Sequence, residues 1–361
     1  MRILLEARRE PSRLARWLSP IVATLAVLLI GFVLFTAMGK DPWQAMYTFF
    51  IDPIDERYKA AELLLKASPI MLCAIGLAVG YRANVWNIGA EGQLIMGAIC
   101  GGGIALAFQD IETRWVLPLM LLAGMAGGML WAAIPALLRT RFNANEILVS
   151  LMLVYVASLV LSLLVHGAWR DPEGFNFPQS KMFAEHALLP NLVPDTRLNV
   201  GFLIALAAVA AGWLFMRKSL PGFQMRVAGL APAAANYAGI SANRTVWMGM
   251  LIGGGCAGLA GIGEVAGPVG QLLPVISPGY GFAAIIVAFV GRLHPLGIFF
   301  ASLLMSLLYL GGEAAQMKLA LPSSVTGLFQ GTLLLFLLAA DVFIHYRLRI
   351  VRAPAAAARP A

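Results

Sequence analysis

Residues 146–166 read EILVSLMLVYVASLVLSLLVH. From Ile147 to Val165 no charged side chain interrupts the run. A helix crossing the hydrocarbon core of a bilayer needs about 20 mainly apolar residues, so the run reads as a membrane span. The rest of the chain repeats it. Of 361 residues, 60% are hydrophobic and 12% charged, with a mean hydropathy of +0.80. A soluble globular domain is about 45–50% apolar and about 25% charged, so a soluble enzyme is excluded.

Working outward from this run, ten segments of the same kind emerge: about 20–39, 65–82, 86–108, 115–138, 146–166, 198–216, 245–266, 281–291, 295–312 and 325–345. The expected fold is therefore all-α, a polytopic membrane helix bundle. Its parts are a basic N-terminus (1–19), a transmembrane domain (20–346) and a tail (347–361). The eighth segment is short, and the uncharged stretch before it carries Pro268, Pro274 and Pro278, which predicts a re-entrant or broken helix there.

Placing both termini in the cytoplasm puts 17 of the 26 Lys and Arg inside, in agreement with the positive-inside rule. Loops 40–64 and 167–197 are then external, and 217–244 is the longest cytoplasmic connection. The apolar run Ile21–Met38 is longer than the roughly 7–15 residues of a signal-peptide core, so it is expected to remain as a span. The tail Ala353–Ala361 reads as disordered. The net charge of +8 is dispersed among apolar segments rather than gathered on one face, which argues against nucleic acid. Cys73, Cys100 and Cys256 lie in apolar runs, with neither a disulfide framework nor a zinc spacing.

Five spans stand on each side of loop 167–197, so an inverted five-plus-five repeat is expected, with interrupted segments at 84–103 and 267–297. Close helix approach in lipid rests on small residues at four-residue spacing. Gly97 with Gly101, Gly124 with Gly128, Gly254 with Gly258, and Gly263 with Gly267 supply it.

Two acids sit well inside apolar runs, Glu91 and Glu264, and buried charge in a membrane is costly. Around Glu91, the residues Asn84, Asn87 and Gln93 interrupt an apolar stretch. Two readings stand for each acid: lining of a polar pathway, or capping of free helix N–H groups. His166, His186, His294 and His345 are far apart, and no phosphate-binding G-x-x-x-x-G-K-[ST] loop exists, so neither a metal site nor ATP hydrolysis is expected on this chain.

The segment Asn87-Ile88-Gly89-Ala90-Glu91-Gly92-Gln93-Leu94 resembles a signature of ABC importer permeases for nucleosides and simple sugars, related to the ribose and branched-chain amino acid permeases. Gly229–Ile240, Ala257–Gly261 with Glu264-Val265, and Ser277–Phe282 continuing to Gly291-Arg292 and Pro295–Gly297 extend it in order, from about residue 60 to 350. Three positions depart from the family's pattern: Ala231 stands for Asn, Asn236 for a basic residue, and Ala283 where many nucleoside-type relatives are polar. The third leaves the exact substrate open.

The resemblance implies a bacterial inner-membrane assembly of two permease chains, often nonidentical, a separate ATPase that carries ATP and Mg, and an extracytoplasmic substrate-binding lipoprotein. The first substrate class is nucleosides, with simple sugars or branched-chain amino acids as alternatives. Candidate pathway residues are Asn84, Asn87, Glu91, Gln93, Glu264 and Tyr280. Candidate ATPase-coupling residues are Arg226, Gly229, Pro232, Ala234, Ala235 and Gly239, because Pro232 suits a first helical turn, the alanines favour helix and Gly239 can end it. An ion-coupled secondary transporter also fits ten spans and inverted halves, and an ATPase partner discriminates the two. A membrane-embedded enzyme has no paired catalytic groups in its favour.

Overall fold

The computed structural model describes residues 2–7 and 13–351, and the expected disordered tail Ala353–Ala361 lies outside them. Thirteen helices follow in order among the described residues: α1 (Arg13–Ala37), α2 (Pro42–Phe50), α3 (Arg57–Arg82), α4 (Ala90–Ala107), α5 (Val116–Phe142), α6 (Glu146–His166), α7 (Gly201–Lys218), α8 (Leu220–Leu230), α9 (Pro232–Tyr237), α10 (Ala242–Glu264), α11 (Tyr280–Val290), α12 (Pro295–Leu319) and α13 (Ser324–His345). Two short strands, β1 (Arg2–Ala7) and β2 (Tyr346–Val351), pair antiparallel.

Each of the ten expected segments coincides with a helix. Among the described residues, seven helices are long and apolar enough to cross a membrane, and Thr24–Ala37, Tyr280–Val290 and Ser324–Phe336 are shorter apolar pieces. The fold is a polytopic helical bundle. Part of the expected loop 40–64 is helical instead: Asp41 caps α2 through its side chain, accepting from Trp43 N–H at 2.9 Å, and α3 begins two turns early.

Residues 53–310 form one compact unit. Within it α10 packs on α3, α4 and α5, and glycine makes this possible. A Cβ at Gly97 would strike Gly258 of α10, and Gly128 and Gly254 bring the backbones of α5 and α10 together in the same way. Three of the four expected glycine pairs thus lie at a helix seam. The fourth does not: Gly263 faces open space, and Gly267 abuts the Asn199 side chain.

A second unit comprises residues 1–52 and 311–361. Here α1 packs against α13, and Phe35, Phe49 and Phe329 cluster, with the Phe49 and Phe329 centroids 4.5 Å apart. Lys318 donates to both carboxylate oxygens of Asp52 at 2.8 and 2.9 Å.

Candidate functional site

Two interruptions of helix define the site. The first, residues 84–89, separates α3 from α4. Asn84 takes a left-handed conformation (φ 57°) that turns the chain. Four non-helical residues follow before Gly89, so α4 starts at Ala90 rather than at the expected 86. Hydropathy missed this boundary because Trp86 and Ile88 are as apolar as a helix interior.

Backbone groups freed by the break find side-chain partners. The Asn87 and Gln93 amides bond reciprocally, Asn87 Nδ2 to Gln93 Oε1 at 2.9 Å and Gln93 Nε2 to Asn87 Oδ1 at 3.1 Å. Asn87 Oδ1 also accepts from Gly89 N–H at 3.0 Å, and the Tyr81 hydroxyl donates to the Asn87 carbonyl at 3.0 Å. From α6, Ser150 Oγ accepts from Ile88 N–H at 3.2 Å. Glu146 pairs with Arg139 and lies 3.5 Å from Trp86 N–H. Tyr81, Trp86 and Phe289 of α11 stack, Tyr81 on Phe289 at 5.3 Å and 18°.

The second interruption begins where α10 passes through a π turn, Val265–Val269, and ends at Gly270 (φ +75°). The chain then stays non-helical to Gly279. Pro268 cannot donate to a regular ladder, which accounts for the irregular turn. Loop 167–197 holds the stretch: Ser180 N–H donates to the Leu272 carbonyl at 3.0 Å, and Phe183 N–H to Gly270 at 2.8 Å. Ser277 Oγ accepts from Gly279 and Tyr280 N–H at 3.1 and 2.8 Å, opening α11.

The interruptions meet at Glu91. Its carboxylate, in the first turn of α4, accepts from Gly281 N–H of α11 at 2.6 Å, and the Ser277 hydroxyl and Gly279 N–H also face it. Helix N-termini leave unpaired N–H groups and favour negative charge. Glu91 therefore caps a helix nearly two hundred residues away in sequence. Gly281 is required by the approach, since a Cβ there would enter the backbone of Glu91.

Asn87, Glu91, Gln93 and Tyr280 are thus brought together and buried. The Tyr280 ring meets Tyr309 edge-on at 5.4 Å. Asn84 stands apart, exposed, its side chain accepting from the Trp86 indole at 2.9 Å. Glu264 also stands apart. It is half-buried beside Ser68, Asn199 and Pro268, near the charges of Lys66, Arg197 and Glu62. Arg197 and Glu62 form a bidentate pair at 3.0 and 2.6 Å. That pair holds the Arg197 guanidinium above its ordinary pKa, chiefly by its hydrogen bond to Glu62.

The coupling candidates occupy α8 and α9. Ser219 caps α8, accepting from Gly222 N–H at 3.0 Å. The helix expected from Pro232 forms over Pro232–Tyr237, with Pro at its first turn, and Gly239 follows at φ +76°. Pro232 and Ala234 are exposed and Ala235 is buried. Arg226 turns inward, donating to the Met216 carbonyl. Gly229 presses on the end of α3, where a Cβ would meet the Arg82 carbonyl oxygen.

Sequence reasoning missed several residues. Leu230, at the end of α8, and Tyr237, the last residue of α9, are 80% and 97% exposed and project as apolar side chains at the two ends of the short helix. Phe175, Phe177 and Met182 project from loop 167–197. Apolar residues inside segments read as loops were the signal available.

Residues 60–338 match the model of a family described as the branched-chain amino acid transport system permease component. The chain is 34% identical over 359 residues to the glucose ABC transporter permease protein TsgB13 of Haloferax volcanii, covering 96% of this chain and 94% of that one. It is 30% identical to the nucleoside ABC transporter permease protein NupB of Lactococcus lactis subsp. cremoris, covering 81% and 83%. To the guanosine ABC transporter permease protein NupP of Bacillus subtilis it is 29% identical, covering 90% and 93%.

Proposed function

Because the chain belongs to the family of branched-chain amino acid transport system permease components, we propose that it forms the membrane pathway for nucleosides in an importer driven by a separate ATPase. It is a multi-pass membrane transport subunit of an ABC importer. ATP and Mg are placed on the partner. A second, nonidentical permease chain and an extracytoplasmic substrate-binding lipoprotein complete the assembly, in the bacterial plasma membrane with both termini cytoplasmic. In this reading α9 docks on the ATPase, with Leu230 and Tyr237 as apolar anchors, and loop 167–197 meets the lipoprotein.

One observation carries the mechanism. Gly229 at the end of α8 lies against the Arg82 carbonyl, immediately before the interruption that leads to Glu91 in the first turn of α4. A displacement of α9 reaches that interruption through rigid helix and backbone contact, without a flexible segment between. Asn87, Glu91 and Gln93 are nearly fully buried and hydrogen-bonded to protein groups. They therefore act as a gate between two helix ends rather than as an open solute site. Breaking the Glu91 cap exposes N–H groups of α11 and the Asn87–Gln93 amides, the neutral polar groups that suit a nucleoside. Glu264 has a separate part, at the end of α10 that loop 167–197 covers.

The relatives support nucleosides twice, through NupB and NupP. A hexose is the second reading, favoured by the 34% identity to TsgB13. Proteoliposomes holding the full complex and internal ATP, offered labelled guanosine, uridine or glucose with the other solutes as competitors, decide between them. ATP-dependent nucleoside uptake that glucose does not inhibit is expected. Uptake of glucose alone establishes the second reading, and uptake driven by an ion gradient without ATP overturns both.

A further inference from the structure

A cavity of about 240 Å³ lies where the ends of α3, α7, α8 and α12 converge. Arg82, Arg217, Arg226 and His294 line it, with Trp213 and Met216. Among the described residues, no carboxylate lines it. Arg82 and Arg226 are near enough for their like charges to repel. One nitrogen of Arg226, Nε, is buried without a hydrogen-bond partner, while its Nη2 is held by the Met216 carbonyl. The start of α12 at Pro295 also borders the cavity, and a helix N-terminus adds positive potential.

Like charges gathered around a cavity, one with an unpaired buried donor, need a counter-ion. Arginine forks match the oxygens of a phosphate. Residues 201–230, which form α7 and α8, contain no acid that could serve instead. Trp213 stacks under the Arg217 guanidinium, 5.3 Å from its centroid. Tryptophan with arginine at the end of an apolar helix is the composition of a membrane–water boundary. Basic pockets between helix ends on the cytoplasmic side take anionic lipid headgroups.

We propose that this cavity binds a phosphate group, supplied by the headgroup of an anionic phospholipid. Because α8 leads into α9 and Gly229 rests on α3 beside Arg82, the bound phosphate would neutralise the repulsion where these helices meet and hold them in register. The proposal stands independently of which solute is carried.

The test uses the purified complete complex, stripped of lipid in detergent and titrated with short-chain phosphatidylglycerol, with phosphatidylcholine and with inorganic phosphate. Bound ligand is read by native mass spectrometry, with Trp213 fluorescence as a second signal. Phosphatidylglycerol is expected to bind saturably and phosphatidylcholine weakly. The double variant Arg82→Gln/Arg217→Gln should weaken phosphatidylglycerol binding by roughly 30-fold, two charges' worth at a membrane surface. Arg217→Lys, which keeps the charge, should retain most of the affinity and shows whether loss reflects misfolding. Binding of inorganic phosphate with equal affinity, lost in the same double variant, would support the phosphate site and move its source to the free anion. Equal lipid binding by the parent and the double variant would overturn the proposal. So would an ATPase subunit that detaches from the double variant while lipid binding is unchanged, since the cavity would then serve an acidic protein partner.

Discussion

Glu91 is the residue at which the two helix interruptions meet. Replacing it by Ala removes the acceptor for Gly281 N–H, and leaving a buried donor unpaired costs about 1–3 kcal/mol. Glu91→Ala is expected to lower uptake by about 10-fold or more while the subunits still co-purify, the scale that such a loss implies for a gate. Glu91→Gln keeps an oxygen acceptor and should fall between that variant and the parent. Failure of both variants to assemble, measured by co-purification, would make the residue purely structural. The acid itself was legible in the sequence, because a charge within an apolar run is costly and therefore conspicuous. Its partner was not. A local pattern shows that a carboxylate can cap free N–H groups, but nothing near Glu91 announces that they belong to Gly281. Tyr81, Ser150 and Phe289 escaped for a related reason: each is an ordinary residue within an ordinary apolar helix, and only the fold brings it to the break.

At the scale of elements, the glycine seam and the short helix α9 make contrasting claims. A Cβ at Gly258 would strike the Gly124 carbonyl, whereas one at Gly263 meets nothing within 4 Å. Gly258→Leu is therefore expected to abolish folded protein, and Gly263→Ala to leave the melting temperature within a few degrees of the parent, both measured by thermal unfolding in detergent. Equal stability of the two variants would refute backbone packing of α4, α5 and α10. The seam could be read from four-residue spacing because that spacing places residues on one helix face. The spacing of Gly263 and Gly267 misled, since the helix turns irregular at Val265 and the pair no longer shares a face. For α9, a bulky Ala234→Trp on its exposed surface should detach the ATPase or leave it hydrolysing ATP without uptake. Normal coupled transport in reconstituted vesicles would remove the docking role. The helix was legible from Pro232, three alanines and Gly239, while Tyr237 was not, because a single exposed aromatic has no period to betray it.

For the whole molecule, the proposed topology, argued from the distribution of Lys and Arg, has 217–244 on the cytoplasmic side and 167–197 outside. In a chain without its three cysteines, Phe175→Cys should react with an impermeant thiol reagent in intact cells, and Ala233→Cys only after lysis. The reverse pattern would invert the topology. Segment positions were legible because apolar length is set by bilayer thickness. The proposed path from α9 to the Glu91 break was not, since it consists of close backbone approaches between distant segments. Gly229 on the Arg82 carbonyl is the narrowest link in that path. The most direct measurement is solute imported per ATP hydrolysed in the reconstituted complex carrying Gly229→Ala, with co-purification of the ATPase as the control for assembly. The contact predicts continued hydrolysis with uptake per ATP lower by about an order of magnitude, within the range of energetic coupling through packed elements. An unchanged ratio of uptake to hydrolysis would contradict it.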